Sequence, residues 1–216
     1  MELYEGLMTT RAMRRFTDEP VTDEEITTIL AAAVQAPSGG NIQPYQFVVV
    51  TEQDKKDALS ELYLRAWNRY EPAVAAVTPP FKDEKAEAAH RRNWDASNQL
   101  AANIAQAPVL ILVVAPNISM TVEDDDGPMD VGSVLASVYP AVQNLGLAAR
   151  AYGLGTVLTT VIRIHQDEAR AVLDIPDRYE IVALMPLGHP KGRWGVARRR
   201  PAPSITRWNS WSGKRT

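Results

Sequence analysis

The chain of 216 residues contains no cysteine and only three histidines, and each shortage excludes a kind of active site. Without cysteine, the protein has no disulfide framework, thiolate nucleophile, iron–sulfur cluster or cysteine-ligated zinc site. The histidines are His90, His165 and His189, and no two of them have the i, i+4 spacing of metal ligands on one helix. We therefore predict no metal site built on histidine.

Strong charge of one sign and long apolar runs are also missing. The formal net charge is −3, which argues against a general nucleic-acid or membrane-surface binder. The longest apolar stretches are too short to span a bilayer, and the first residues lack the basic segment and apolar run of a signal peptide. We expect a cytoplasmic protein whose partners include neither nucleic acid nor a membrane.

Common catalytic motifs are absent as well. The chain has neither a Gly-x-Ser-x-Gly nucleophile elbow nor a Walker A loop. Gly153 and Gly155 lack the third glycine of a dinucleotide fingerprint, because Leu158 holds that position. We interpret the acidic segment 123–126 as a solvated loop rather than a cation site. With no nucleophile, metal site or acid–base pair in the sequence, the chemistry is expected to come from a cofactor.

The pattern of apolar residues predicts one domain, 1–216, that mixes helices and strands. Thr22 and Glu25 form a capping box with Val21 and Ile26 as its hydrophobic staple, so a helix begins there and ends before Pro37. Short apolar runs predict strands, and longer helical periodicity predicts further helices. The predicted strands are 47–50, 109–114, 153–158 and 179–187, and the further helices are 58–70, 82–93, 100–106, 131–152 and 165–173.

Prolines and small residues refine this prediction. Pro72, Pro79 and Pro80 are expected to break the chain after the helix at 58–70. The helix at 131–152 is rich in alanine, serine and glycine, which permits close approach of a neighbouring helix in the core or at an interface.

Two segments are candidates for binding a ligand. Basic clusters at Arg11, Arg14 and Arg15 and at 198–200 lie at opposite ends of the sequence, and folded domains often bring their ends together. The clusters form either an anion site or solvated surface charge. The loop at 37–44 combines two glycines, a hydroxyl and two amide side chains. It is either a polar turn or suited to reading the edge of a planar heteroaromatic ring.

Motifs along nearly the whole chain resemble, in the same order, those of the nitroreductase family. They are Arg-Ala-Met-Arg-Arg-Phe at 11–16, Pro-Val at 20–21, Ala-Pro-Ser-Gly-Gly-Asn-Ile-Gln-Pro-Tyr-Gln-Phe at 36–47, Gly-Leu-Gly-Thr at 153–156, Leu-Gly-His-Pro at 187–190 and Arg-Arg-Arg-Pro at 198–201. The resemblance implies an α+β fold with a central, mostly antiparallel sheet flanked by helices. It also implies an obligate homodimer with two FMN sites at its interface, in which the helix at 131–152 is the main dimer helix.

By the same resemblance, arginines from both chain ends would bind the FMN phosphate, the loop would line the flavin, and the segment at 158–160 would pack against the isoalloxazine. The implied cofactor contacts are Arg11, Ala12, Met13, Arg14, Arg15, Pro37, Ser38, Gly39, Asn41, Gln43, Leu158, Thr159, Thr160, Arg198 and Arg199. Many relatives have serine where this chain has Ala12, so a phosphate hydrogen bond worth roughly 1 kcal/mol is lost. Arg15 would offset that loss.

The resemblance implies an FMN-dependent oxidoreductase with ping-pong transfer from NAD(P)H to nitroaromatics, quinones or similar small oxidised acceptors. The flavin would supply the redox chemistry, so no protein nucleophile is needed. Residues 60–105 would be an inserted helical lid that selects the substrate. Within it, Tyr63, Trp67 and Tyr70 form either an aromatic wall over the flavin, together with Trp94, or plain packing.

Three other functions remain open from the sequence. A relative in this family can use FMN for dehalogenation, ene reduction or flavin fragmentation. The protein can instead be a non-catalytic flavin carrier. The third alternative is an anion-binding or nucleic-acid-binding module built on the two arginine clusters, which the net negative charge disfavours.

Overall fold

The computed structural model describes residues 1–118 and 120–214 and is built around a four-stranded antiparallel sheet. The strand order in this sheet is β1-β2-β6-β5, and β3 and β4 form a separate hairpin. The strands are β1 (Gln46–Val50), β2 (Val109–Pro116), β3 (Thr121–Asp124), β4 (Gly127–Asp130), β5 (Gly155–Thr156) and β6 (Tyr179–Gly188). The predicted α+β class with a central antiparallel sheet is confirmed.

Helices cover both faces of the sheet. They are α1 (Leu3–Thr9), α2 (Asp23–Ala33), α3 (Gln53–Val77), α4 (Glu84–Asn103), α5 (Leu135–Ala151), α6 (Gln166–Val172) and α7 (Ala202–Ile205). In the part of the chain that the structure describes, no helix combines the length and the hydropathy that a membrane crossing requires.

The central strand β2 is apolar throughout because it contributes to two cores. Ile111 and Val113 pack on the face covered by α2 and α5, whereas Leu110 and Leu112 pack on the face covered by α3 and the end of α4. A strand buried on both faces has no polar positions to alternate with apolar ones. Its continuous apolar run was therefore a reliable signal in the sequence.

The predicted capping box at the start of α2 is also present. The Oγ1 atom of Thr22 accepts a hydrogen bond from the backbone N–H of Glu25 at 3.2 Å. The Glu25 carboxylate in turn accepts from the backbone N–H of Thr22 at 2.8 Å. The Thr22 hydroxyl also donates to this carboxylate at 2.8 Å. The two hydrogen bonds to the carboxylate lower the pKa of Glu25, and the one from the Thr22 backbone is the larger cause.

The expected break at Pro72 is wrong, because α3 runs through it to Val77. Proline removes one backbone donor from a helix but keeps a helical φ. The preceding residue, Glu71, accepts a hydrogen bond from the indole N–H of Trp94 at 2.9 Å and so ties this turn of α3 to α4. The side chain of Thr78 satisfies the carbonyl of Val74 at the end of the helix.

The acidic segment at 123–126 is a hairpin rather than an irregular loop. Glu123 and Asp124 belong to β3 and pair with Pro128 and Gly127 of β4. Gly127 has a φ of +115°, a conformation that glycine supplies at little steric cost and that closes this tight turn. The long helix predicted at 131–152 begins four residues later, at Leu135, as α5.

A pair of glycines at the edge of the sheet lets the N-terminal segment approach closely. Gly155 of β5 lies opposite Gly188 of β6. A Cβ atom on Gly155 would lie 2.8 Å from the Cβ of Met13, and one on Gly188 would lie 3.3 Å from the Cβ of Phe16. The basic segment at 11–16 therefore lies directly on the backbone of the sheet.

We predict that Gly155→Ala displaces Met13 and destabilises the fold by about 1–3 kcal/mol, because the added methyl group meets backbone-anchored atoms. Gly146→Ala, within α5, is the matched control, since its Cβ would meet only the Thr156 methyl at 3.9 Å. Urea unfolding of both variants measures the difference. Equal stability of the two variants would show that the close approach is not needed.

Candidate functional site

The N-terminal basic segment lies between β5 and the chain that follows β6. The N–H of Met13 donates to the carbonyl of Thr156 at 3.0 Å. On the other side, the N–H of Lys191 donates to the carbonyl of Arg15 at 3.0 Å, and Phe16 forms a bridge with Pro190. The structure therefore joins the N-terminal cluster to residues 189–191. Convergence of this cluster with the second one at 198–200 stays a prediction.

Arg150, in the last turn of α5, joins α1 to Trp194 in the chain after β6, and this role was missed in the sequence. Its guanidinium lies 4.1 Å from the centroid of the Trp194 ring. It also donates to the Oγ1 of Thr9 at 3.3 Å and lies 3.7 Å from a Glu5 oxygen. A cation at a helix C-terminus is common on dipole grounds alone, so nothing in the sequence distinguished this one.

Residues from three distant segments line one cavity of about 260 Å³. They come from the N-terminal segment, from α3 and α4, and from the chain after β5. The predicted site residues among them are Arg14, Tyr63, Trp67, Tyr70, Leu158, Thr159 and Thr160. The structure thus brings together predicted cofactor residues and predicted substrate residues.

Thr159 is fixed in this cavity by three hydrogen bonds. Its backbone N–H donates to the carbonyl of Leu184 at 3.0 Å, and its carbonyl accepts from the N–H of Leu184 at 2.8 Å. Its hydroxyl lies 2.9 Å from the hydroxyl of Tyr63, which is buried. Burial raises the pKa of the Tyr63 phenol, so the phenol stays protonated at neutral pH.

Arg14 is the cation of the cavity, and it lies partly out of water. Burial lowers the pKa of its guanidinium, although an arginine remains charged at physiological pH. A guanidinium in such a place favours an anionic partner, because an opposite charge restores the interactions that water would provide. Among residues 1–118 and 120–214, its side chain forms no ion pair.

The aromatic residues form a continuous row between α3 and α4. Ring centroids are 5.7 Å apart for Trp67 and Tyr70, 5.5 Å for Trp67 and Trp94, and 5.2 Å for His90 and Trp94. The indole N–H of Trp67 donates to Asn98 at 2.8 Å. The rings pack the two helices together, and Trp67, Tyr70 and Trp94 also line the cavity. An aromatic wall over the flavin stays a prediction.

The loop at 38–43 lies on the other side of the molecule. The N–H of Gly39 donates to the hydroxyl of Ser137 near the start of α5, and the side chain of Gln43 donates to Asn41 at 3.1 Å. Asn41 and Gln43 have positive φ values of 56° and 49°. Such values are uncommon outside glycine and often mark functional loops. The loop does not line the Arg14 cavity of its own chain.

Other predicted cofactor contacts are not brought to the cavity within one chain. Arg11, Ala12 and Pro37 are exposed at the surface. Arg198 and Arg199 are also exposed, and Arg199 donates to the carbonyl of its neighbour at 3.3 Å. Their assignment to the phosphate remains a prediction.

Comparison with known proteins identifies the family. The model of the nitroreductase family matches residues 7–189, which include the Arg14 segment, the loop and β6. The chain belongs to the nitroreductase family. The resemblance seen in the sequence motifs is therefore confirmed, and the protein is an oxidoreductase of this family.

Several members of the nitroreductase family are similar along nearly the whole chain. A 5,6-dimethylbenzimidazole synthase of Rhodospirillum rubrum is 28 % identical and aligns with 91 % of this chain and 90 % of its own. An FMN reductase [NAD(P)H] of Bacillus subtilis is 26 % identical over 94 % of this chain and 72 % of its own. Iodotyrosine deiodinase, bound to FMN and 3-iodo-L-tyrosine, has the same fold, with a TM-score of 0.72, 23 % identity and coverage of 97 % and 100 %.

We predict that Tyr63→Phe costs about 1 kcal/mol of folding stability, because the buried Thr159 hydroxyl loses its partner. Tyr70→Phe is the matched control, since Tyr70 lines the same cavity but is 39 % exposed, so water can replace its hydroxyl contacts. The measurement is the free energy of unfolding in urea. A loss no larger for Tyr63→Phe than for Tyr70→Phe would contradict the prediction.

Proposed function

We propose that the protein is a homodimeric FMN-dependent oxidoreductase that passes electrons from NAD(P)H to small oxidised acceptors, such as nitroaromatics or quinones. The observation that carries the proposal is the cavity in which Arg14, Thr159 and the Trp67 row meet. It combines a cation that has no ion-pair partner among the residues described, fixed hydroxyl groups and aromatic surface. These are the groups that a phosphate and a planar ring system require.

The residues present fit FMN from its phosphate to its ring. Arg14 would bind the phosphate with charge-assisted hydrogen bonds, and exposed Arg11 would add a second cation. Thr159, held by Tyr63 and β6, would present its hydroxyl to the ring system. The exposed side chain of Leu158 would pack against the isoalloxazine.

A second copy of the chain would complete this site. The loop at 38–43 packs near α5, on the sheet face opposite the core that adjoins the cavity. A loop that reads the flavin edge would therefore come from the partner subunit. Helices α1 and α5 also expose large apolar side chains, among them Tyr4 at 74 % and Tyr139 at 40 % exposure. Such surfaces are typical of protein–protein interfaces.

In this proposal the protein supplies binding, orientation and exclusion of water. FMN held by these residues would supply the redox chemistry between donor and acceptor. The donor leaves before the acceptor enters, so the cavity wall of Tyr70 and Trp94 must accommodate both. The buried Tyr63 phenol keeps Thr159 in place through both half-reactions.

The relatives support this proposal and also provide a second candidate. The Bacillus subtilis relative is named as an FMN reductase that uses NAD(P)H. The Rhodospirillum rubrum relative is named for 5,6-dimethylbenzimidazole, whose dimethylated benzene ring is also present in the flavin ring system. That relative favours flavin fragmentation as the second candidate function.

The test is the absorption spectrum of the purified protein loaded with FMN, followed under anaerobic conditions as NADPH or NADH is added. We expect a flavin doublet that bleaches with at least one donor and returns when a quinone is added. Failure to bleach with either donor would reject the oxidoreductase proposal and leave a flavin carrier. Loss of the doublet in oxygen, with formation of 5,6-dimethylbenzimidazole, would support the second candidate.

We predict that Arg14→Ala weakens FMN binding by about 10- to 100-fold, because hydrogen bonds to a charged phosphate are lost. Arg178→Ala is the control, since that guanidinium lies over the Tyr179 ring and not at the cavity. Quenching of FMN fluorescence on titration with protein gives both dissociation constants. Equal FMN dissociation constants for the two variants would show that Arg14 does not bind the FMN phosphate.

A further inference from the structure

A smaller recess lies beside the Arg14 cavity, and its charged lining residues are all positive. Its volume is about 140 Å³, and its polar lining residues are Arg14, Arg15, Lys191, Gln99, Asn103 and Gln106. The lining contains three cations and no carboxylate. At about 30 Å³ per water molecule, the recess has room for roughly four or five waters, which suits a compact anion and not a flavin ring.

The recess is held in shape by the backbone and by its amide side chains. The hydrogen bond from Lys191 N–H to the Arg15 carbonyl keeps these two cationic residues side by side. Gln106 donates to the side-chain oxygen of Asn103 at 3.0 Å, and Asn103 donates to the backbone of Gln99 at 2.8 Å. The cations thus lie beside a fixed row of amides at the end of α4 and in the short 3-10 helix, Ile104–Gln106, that follows it.

The cations of the recess have no internal counter-charge. Over the described ranges 1–118 and 120–214, the side chains of Arg15 and Lys191 form no ion pair. The acidic residues Asp18 and Asp57 line only the neighbouring groove. A dianionic group is therefore the ligand that this recess stabilises best, since Arg15 and Lys191 remain without a counter-charge there even when Arg14 binds the FMN phosphate.

The recess also connects two larger spaces. It shares Arg14 with the proposed flavin cavity. It shares Phe16, Asn103 and Lys191 with a polar groove of about 750 Å³. A ligand with one end in the flavin cavity can therefore extend past the recess into the groove.

We propose that this recess binds the 2′-phosphate of NADPH, with the adenosine in the adjoining groove, and so makes NADPH the preferred donor. This inference rests on the proposed function, because it places the nicotinamide end of the donor in the Arg14 cavity. A phosphate monoester carries close to two negative charges, whereas each bridging phosphate of the dinucleotide carries one. The uncompensated cations favour the monoester for that reason.

The first test is equilibrium binding to the FMN-loaded wild-type protein, which needs no turnover. Calorimetric titration with NADP⁺, which cannot donate a hydride, should show binding about tenfold or more tighter than with NAD⁺, which lacks only the 2′-phosphate monoester. Equal affinity for the two nucleotides overturns the proposal. This result is independent of whether the flavin bleaches, so failure of the inference and failure of the proposed function are distinguishable.

The second test uses the variant Lys191→Gln, which removes one positive charge from the recess. Lys191→Arg restores that charge. Lys85→Gln is the control, because Lys85 is an exposed residue of α4 that does not line the recess. We expect Lys191→Gln to lower the ratio of kcat/KM for NADPH to that for NADH by about tenfold, and Lys191→Arg to restore it. An unchanged ratio overturns the proposal. A selective loss of FMN affinity in Lys191→Gln, relative to Lys85→Gln, would instead assign the recess to the flavin phosphate and also overturn it.

Discussion

The site depends on the close contact between the N-terminal basic segment and the edge of the sheet. Because Gly155 and Gly188 have no side chains, Met13 and Phe16 can lie directly against the backbone of the sheet. The hydrogen bond from the Met13 N–H to the Thr156 carbonyl fixes the position of the N-terminal segment along β5. With that position set, Arg14 faces the cavity. Any side chain at the glycines would move the arginine, so the position of the anion-binding group is determined by two residues that never touch the anion.

The sheet also separates the loop at 38–43 from the Arg14 cavity within one chain. Because β2 is buried on both faces, the helices that pack against the sheet are divided between two cores. The loop at 38–43 lies on the face covered by α2 and α5, and the Arg14 cavity lies on the face covered by α3 and α4. Within one copy the loop does not line the cavity, so under the proposed function a second copy would supply it. The exposed apolar surface of α1 gives a physical reason for such a contact.

Much of the fold was predictable because its signals are local. The apolar run of β2 and the capping box at Thr22 are properties of a few adjacent residues, and both are present in the structure. The break at Pro72 was wrong because the contact between Glu71 and Trp94, distant in sequence, stabilises that turn of α3. Long-range contacts of this kind leave no periodic signal.

Several residues that line the cavity were named from the sequence, but their arrangement was not predictable. Arg14, Thr159 and Tyr63 were expected at the site and share one cavity. The division of the loop and the cavity between two faces, and the role of Arg150 in joining the chain ends, depend on packing that residue spacing does not encode. The cationic recess at Lys191 was missed for the same reason, since its members come from three separate segments.

A crystal structure of the protein with bound FMN tests the central claim most directly. The account predicts the phosphate within hydrogen-bonding distance of the Arg14 guanidinium, the ring beside Thr159, and the loop at 38–43 of the partner subunit at the ring edge. A phosphate bound away from Arg14, with the segment at 11–16 still lying on the glycine pair, would contradict it.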